Sequence, residues 1–355
     1  MSVVASDPAE PSHLSAPLPY LIVGGGVAGI CLALHLQEYG VPVRVADLPH
    51  QNVSSRKAAG LVNPFIIKRY ALSWKGVEAY AYAHEFYVKL EKLTSKKILE
   101  TPAVYRLFPN SQILSEWEKI RASRPDLQMF MGVPENAFIL GKTIHRAAVP
   151  CVFRVRTKDF FASAAQILND CLREEYISPS LLVPMPCGWR YKSDLFKGVI
   201  FCQGPALKDN PFFNGSFLRP CKGQWLRCVN PGLQEAYLSG IFLIPEEPSI
   251  LWVGSTYEFS FADPYPDEAG RMRLSREFER MTGRRPEVVE AQAGIRATTK
   301  DRRPVLGSHP SYPGLFIFNG LGSRGFLLAP YLAQKISRHI LFGERLPAEV
   351  SFGRL

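Results

Sequence analysis

Residues 24–29 read Gly-Gly-Gly-Val-Ala-Gly and stand directly after the apolar run 20–23. Past them, Val27, Ile30, Cys31 and Leu34 recur at three- and four-residue intervals, the period of a helix with one buried stripe. Strand, glycine turn and helix in this order suit the binding of a dinucleotide diphosphate. Gly24 permits the tight turn, Gly26 removes a side chain that would block the diphosphate, and Gly29 lets the helix pack close to the sheet. Val27 and Ala28 fall in the first turn, where N–H groups and the positive dipole end face an anion. Gly40 then occupies the place of a helix C-terminal cap. A second strand over 41–46 delivers Asp47, whose carboxylate can accept hydrogen bonds from ribose hydroxyls. Those hydroxyls belong to an adenosine half common to FAD and NAD, so this turn selects neither.

A second glycine loop, Gly320, Leu321, Gly322, Ser323, Arg324, Gly325, lies between an expected strand at 315–318 and an expected helix at 326–341. The residues after it leave no room for another strand with its own ribose acid, so it is not a full second dinucleotide unit. A turn feeding a helix N-terminus still offers N–H groups and a dipole to a ring on which negative charge develops during reduction.

The residues Gly24–Gly29 with Asp47, then Ser54, Ser55, Ala58, Ala59, Gly60, Asn63 and Pro64, resemble the opening of the D-amino-acid oxidase and glycine oxidase type of FAD-dependent oxidoreductases. Lys222, Gly223 and Gln224 are similar to that family's basic-Gly-Gln signature, and Gly254, Ser255, Thr256 to a later strand. The tail carries the most specific match: Ala293, Gly294, Ile295, Arg296, then Asp301, Arg303, Pro304, Val305, Gly307, and the loop 320–325 with Ala329 and Pro330. The resemblance spans residues 20 to about 345 in the expected order. It implies an α/β (α+β overall) fold, with a Rossmann-like FAD-binding domain and a discontinuous antiparallel-sheet substrate domain. The expected division is a tail at 1–19, FAD-binding segments at 20–75, 145–215 and 290–355, and substrate segments at 76–144 and 216–289. The resemblance adds Ser55, Ala59, Gly60, Cys202, Gly204, Gly294, Gly322, Ser323, Gly325, Phe326 and Leu327 to the cofactor-binding residues. Arg296 falls where the family contacts a substrate carboxylate, and Arg324 in the flavin loop where glycine-oxidase-like members also carry arginine. Both guanidiniums could form a bidentate clamp. Some relatives attach flavin through a late cysteine; none follows Cys228 here, so noncovalent FAD is expected. Thr298 and Thr299 depart from the proline many members carry after the arginine.

Several elements must position these groups. Periodicity predicts helices over 75–93, 115–124 and 160–171, and strands over 104–108, 152–155 and 198–202; the end of the last, at Gln203 and Gly204, resembles that family's third dinucleotide-facing turn. Strands over 221–227, 236–244 and 250–256 are expected to extend the substrate sheet. Tyr105, Tyr257, Trp74 and Trp225 are candidate pocket walls, with packing in a sheet face as the alternative.

Composition is that of a folded protein, 46% hydrophobic and 21% charged. The formal charge of +10 favours anionic partners, yet the basic residues are scattered in short groups such as Arg284–Arg285, which reads as a solvated face. Seven cysteines without a CxxC pair point to a reducing, cytoplasmic setting. Residues 1–19 lack a signal-peptide core, the apolar stretch 21–36 is too short and glycine-rich to span a membrane, and no histidine has metal-ligand spacing, so no metal is expected. His35 and His309 read as packing and loop residues.

The activity implied is removal of a hydride from the C–H beside an amine of a small amino acid or secondary amine, passed to flavin N5 with oxygen as acceptor. One alternative also uses FAD: the C-terminal half is similar to the oxidase domain of the bacterial protein that modifies the tRNA wobble uridine, whose substrate carries a carboxymethylaminomethyl group. Another is a flavin-binding protein without catalysis. The oligomeric state is left open.

Overall fold

The computed structural model describes residues 17–48 and 54–355. Its centre is a six-stranded sheet in the order Leu172–Glu174, Val43–Asp47, Tyr20–Val23, Gly198–Phe201, Leu315–Asn319, Val305–Ser308. The first five run parallel and the last is antiparallel to its neighbour. Strands covered on both faces read as continuous apolar runs, and Tyr20–Val23 and Leu315–Asn319 are buried throughout. One face is packed by the helices Val27–Glu38, Gly76–Thr94 and Gly325–Phe342, the other by aromatic and aliphatic residues from a three-stranded meander over 182–196 and from Phe213 and Phe217.

The helix Val27–Glu38 ends as expected, with Gly40 left-handed (φ +71°) and its N–H donating to Gln37 O at 2.8 Å. It differs in burial: every residue from Val27 to Leu36 is buried, where a single stripe was expected. The helix is enclosed by the sheet below and the two other helices beside it, so it has no solvent face. The helix Gly76–Thr94 places Ala79, Ala83, Phe86, Tyr87 and Leu90 in this same core. The packing therefore groups its residues with the nucleotide-side layer, although a division at 75/76 assigned them to the substrate side.

The second layer is an eight-stranded sheet in the order Val288–Thr299, Leu218–Val229, Ile250–Gly254, Ile241–Glu247, Ala236–Ser239, Val104–Phe108, Lys142–Ala148, Pro134–Ile139. It is antiparallel except where Ala236–Ser239 meets Val104–Phe108. Both Lys142–Ala148 and Val288–Thr299 cross the division expected near 145 and 290, because ladder pairing holds each whole strand in the sheet. The expected strand 236–244 is broken at Gly240 (φ +86°), which turns the chain into a hairpin. The helix expected at 115–124 starts earlier, at Ser111, where Asn110 caps it by accepting from Ile113 N at 3.0 Å. The helix expected at 160–171 is Thr157–Ile167 followed by a short 3-10 turn. Other elements went unforeseen, among them the strands Pro134–Ile139, Lys142–Ala148, Leu172–Glu174, Val288–Thr299 and Val305–Ser308, the 182–196 meander and the helix Glu268–Thr282. Among the described residues no helix is long and apolar enough to cross a membrane.

Candidate active site

The glycine turn is held by contacts that leave no room for side chains. A Cβ on Gly24 (φ +110°) would lie 2.5 Å from Cys202 O, and one on Gly29 only 1.9 Å from Gly24 O. Gly25, which motif reasoning passed over, is as constrained: its Cβ would come within 2.9 Å of the Asp47 side chain. Three consecutive glycines were the available signal. Gly26 takes an extended conformation at the helix start, with no side-chain cap and no acid in the first turn. Val27 N donates to Ser55 Oγ at 3.1 Å, so Ser55 joins the turn from a distant segment. Ala28 is buried in the first turn beside it. These residues shape a cradle of the kind that could hold a diphosphate, open to backbone approach and positive at the helix end.

The remaining cofactor candidates are held by contacts between distant segments. Gly60 (φ +76°) fits against the Val155 carbonyl, where a Cβ would be 1.9 Å away, and Ala59 O accepts from Arg154 Nε at 3.0 Å. Gly294 faces Ser54, whose Cα would be 3.0 Å from an added Cβ. Cys202 is buried and its N–H donates to Val23 O at 2.8 Å; burial pushes its thiol pKa well up, which keeps it an inert thiol. Gly204 (φ +57°) receives a hydrogen bond from Asn319 Nδ2 at 3.0 Å, and Asn319 Oδ1 accepts from Gly320 N at 2.8 Å. Asn319, absent from the motif reading, thus ties the third turn to the C-terminal loop.

That loop lies against the first turn. A Cβ on Gly325 would meet Val27 Cγ1 at 2.9 Å, which brings residues 24–29 and 320–325 together as the flavin reading requires. Gly320 and Gly322 have φ of +77° and +56° and approach Thr299 and Thr298, so the two threonines that depart from the family pattern shape this loop. Ser323 is exposed. Phe326 and Leu327 are buried: the Phe326 ring packs on Phe160 at 5.7 Å and its carbonyl accepts from Tyr87 OH at 2.9 Å. Their side chains serve the core, which leaves only their backbone positions at the helix start to face a cofactor.

Arg296 lies against Tyr257, and Arg324 is near enough to feel the charge of its hydroxyl. Arg296 stands in Val288–Thr299 opposite Cys221 and lies across Gly223, where a Cβ would fall 2.1 Å from Nη2. It donates to Ser255 Oγ at 2.7 Å and to Thr256 O at 3.1 Å, and its guanidinium sits 4.5 Å from the Tyr257 ring centroid. Arg324 donates to Asn63 O at 3.0 Å. Burial lowers its pKa, the nearby Tyr257 opposes that, and Arg69 adds to it; starting from an arginine's high value, it stays a cation at neutral pH. Among the described residues neither guanidinium is in an ion pair.

The Lys222-Gly223-Gln224 signature explains how this cluster is held. Lys222, 2% exposed, pairs with Asp267 and with Glu258 at 3.6 Å. Gln224 Oε1 accepts from Asp267 N at 2.9 Å and its Nε2 donates to Glu258 at 3.1 Å. Lys222 and Gln224 fasten the segment 256–267 that carries Tyr257. Of the other proposed walls, Trp225 stacks face to face on Trp252 at 4.2 Å, and Trp74 lies 5.8 Å below Arg303. Tyr105 is a correction: it packs with Leu107 and Tyr237 in the cluster on the sheet face opposite Trp225, under Arg146 at 3.8 Å, because strand alternation turns it away from Arg296. His35 is buried and bonded to Cys31 O and Tyr82 OH, and His309 bonds Phe212 O from the loop after Val305–Ser308.

Comparison with known proteins agrees with this geometry. The chain is 46% identical over 346 residues to the tRNA 5-methylaminomethyl-2-thiouridine biosynthesis bifunctional protein MnmC of Caulobacter vibrioides, covering 92% of this chain and 55% of that protein. It is 25% identical over 349 residues to the glycine oxidase of Pseudomonas aeruginosa, covering 87% and 91%. The chain thus spans about half the length of the bifunctional relatives it matches. The iminodiacetate oxidase of Chelativorans sp. BNC1 shares the fold, with a TM-score of 0.79 at 21% identity over 93% of this chain and 97% of that one. A model of the family DAO, FAD dependent oxidoreductase, matches residues 20–149 and 187–338. With that match over most of its length, and with both glycine turns closed on one cradle, the chain belongs to the DAO family of FAD-dependent oxidoreductases.

Proposed function

We propose that this oxidoreductase oxidises an amine that carries a carboxylate on the carbon next to nitrogen, an N-substituted glycine in the simplest case. The observation that carries the reading is the pair of half-buried, acid-free guanidiniums, Arg296 on the Tyr257 ring and Arg324 within the electrostatic reach of Tyr257 in the glycine loop 320–325. A cation held by neutral oxygens of Ser255, Thr256 and Asn63 keeps its charge for an incoming anion, and a guanidinium fork matches a carboxylate.

In this reading the diphosphate of FAD is held by Gly24, Gly26, Val27, Ala28 and Gly29 with Ser55, and its ribose by Asp47. Residues 202–204, Ala59, Gly60, Gly294 and the loop 320–325 surround the ring. When bound, FAD supplies the two-electron sink for a hydride leaving the α carbon. The protein's own contribution is orientation: the clamp fixes the carboxylate, so the adjacent C–H points one way. The resulting imine is hydrolysed by water to a carbonyl compound and an amine.

The test is anaerobic titration of the FAD-loaded protein with N-substituted glycines, amino acids and the matching amines without a carboxylate. Bleaching of flavin absorbance only by the carboxylates is expected. No bleaching by any of them, or equal bleaching by the amines without a carboxylate, removes the reading. A second reading, in which the amine is carried on tRNA, is favoured by the 46% identity to the bifunctional tRNA-biosynthesis protein.

A further inference from the structure

The helix Gly325–Phe342 carries Pro330 at its sixth position. Proline has no N–H, so the carbonyl four residues earlier, that of Phe326, is left without a donor from its own helix. Phe326 is buried, which denies the carbonyl an easy partner in water. The donor comes from another helix: Tyr87 OH, on Gly76–Thr94, lies 2.9 Å from Phe326 O. Tyr87 is wholly buried, and its ring stands edge-on to Phe86 at 5.3 Å, Phe160 at 5.6 Å and Phe153 at 6.2 Å. Walled on these sides, the ring has little freedom to swing its hydroxyl away. Burial, and after it the nearby Cys31, raises the pKa of that hydroxyl, so it stays protonated and donating at neutral pH.

The carbonyl of Phe326 and the N–H of Leu327 belong to one planar peptide unit, so fixing the oxygen fixes the direction of the hydrogen. Leu327 N–H is among the groups that open the helix ahead of its ladder and have no intrahelical acceptor. No side chain caps this end, and its first turn holds no acid. A hydrogen bond accepted at the oxygen also draws charge through the unit and strengthens the N–H as a donor. Tyr87 thereby acts on the turn whose dipole would meet the negative charge that gathers on a reduced ring.

We infer that Tyr87 is a positioning residue for the flavin: it binds the Phe326 carbonyl that Pro330 frees, aims the Leu327 N–H at the ring, and so raises the reduction potential of the ring. The inference rests on the reading above that sets the loop 320–325 against the ring, and it adds a residue 239 positions earlier in the chain that tunes the flavin from behind that loop.

The experiment measures the reduction potential of the FAD-loaded protein by equilibration with a reference dye. Tyr87→Phe keeps the ring and removes the hydroxyl. Its preference for reduced flavin is expected to weaken by roughly 3- to 30-fold, the size of a helix-end dipole effect, which lowers the two-electron potential by about 15 to 45 mV. Pro330→Ala supplies an N–H within the helix, so Tyr87→Phe combined with Pro330→Ala returns to the wild-type potential, and Pro330→Ala alone stays there. A Tyr87→Phe protein with unchanged potential, even one that melts earlier, overturns the inference, as does a lowered potential that Pro330→Ala fails to restore. If Tyr87→Phe retains no FAD, the combined variant must recover both cofactor and potential, and its failure to do so counts equally against the role of Tyr87. Arg324→Met removes a cation from the loop itself: a shift there with none in Tyr87→Phe sinks the role of Tyr87 alone, whereas no shift in either sinks the placement of the loop as well. None of these readouts uses an amine, so the lack of a carboxylate-bearing substrate would bear on the clamp alone.

Discussion

Replacing Gly223 by alanine tests the clamp without removing any group that would touch substrate. The added methyl would fall 2.1 Å from Arg296 Nη2 and 2.3 Å from Cζ, so the guanidinium must move. What yields is the far end of a flexible side chain, and alanine fits an extended strand, so the sheet itself should hold. Moving Arg296 breaks its bonds to Ser255 and Thr256 and takes the fork away from a bound carboxylate. A hydrogen bond to a charged group contributes about 1.5–3 kcal/mol, so kcat/KM for a carboxylate-bearing amine should fall by roughly 10- to 150-fold. Stopped-flow flavin reduction reads this directly, with the FAD-to-protein absorbance ratio and thermal midpoint as controls. Arg296→Met should lose at least as much. Wild-type kinetics in Gly223→Ala, or an equal loss with an amine lacking the carboxylate, would refute the argument.

Gly29→Ala should purify largely free of FAD or fail to accumulate, since its Cβ would sit 1.9 Å from the Gly24 carbonyl and only backbone movement can relieve that; a normal flavin spectrum would contradict it. Lys222→Ala should destabilise the protein by about 2 kcal/mol in denaturant unfolding, less than a fully buried pair because Asp267 keeps 41% of its side chain in water, while Lys222→Arg retains most of the stability. Acid should release the same contact. The bond to Lys222, then the bonds to Gly270 N–H and Gln224, hold the Asp267 carboxyl at about 2 against an ordinary 3.8. Its stabilisation is therefore complete above pH 3.8 and disappears as the pH falls toward 2, and Asp267→Asn should flatten that part of the stability curve.

The local parts of the site were legible because their causes are local. Gly24, Gly29 and Gly40 each answer a backbone need within a few residues, and the apolar runs of the parallel strands mark a sheet covered on both faces. The contacts that assemble the site cross long stretches of chain and leave no periodic trace. Nothing near Gly223 announces that Arg296 lies over it; that follows from the register pairing Cys221 with Arg296. Asn319 bonded to Gly204 and Gly325 against Val27 are of the same kind. The helix Glu268–Thr282 was missed for another reason. Only Gly270, Leu274, Phe278 and Thr282 are buried on it, so its apolar signal is faint among many charges. Its punctuation was nonetheless readable, with Asp267 capping Gly270 N at 2.8 Å and Gly283 left-handed (φ +71°) at its end.

The strand Tyr20–Val23 sits between Val43–Asp47 and Gly198–Phe201, and Gly198–Phe201 in turn needs Leu315–Asn319 at its side. A ribosome making this chain therefore releases the turn 24–29 some three hundred residues before the glycines that close on it, as the distance from Val27 to Gly325 requires. Contacts so far apart are slow to form, so the cradle stays open until the helix Gly325–Phe342 has docked against Val27.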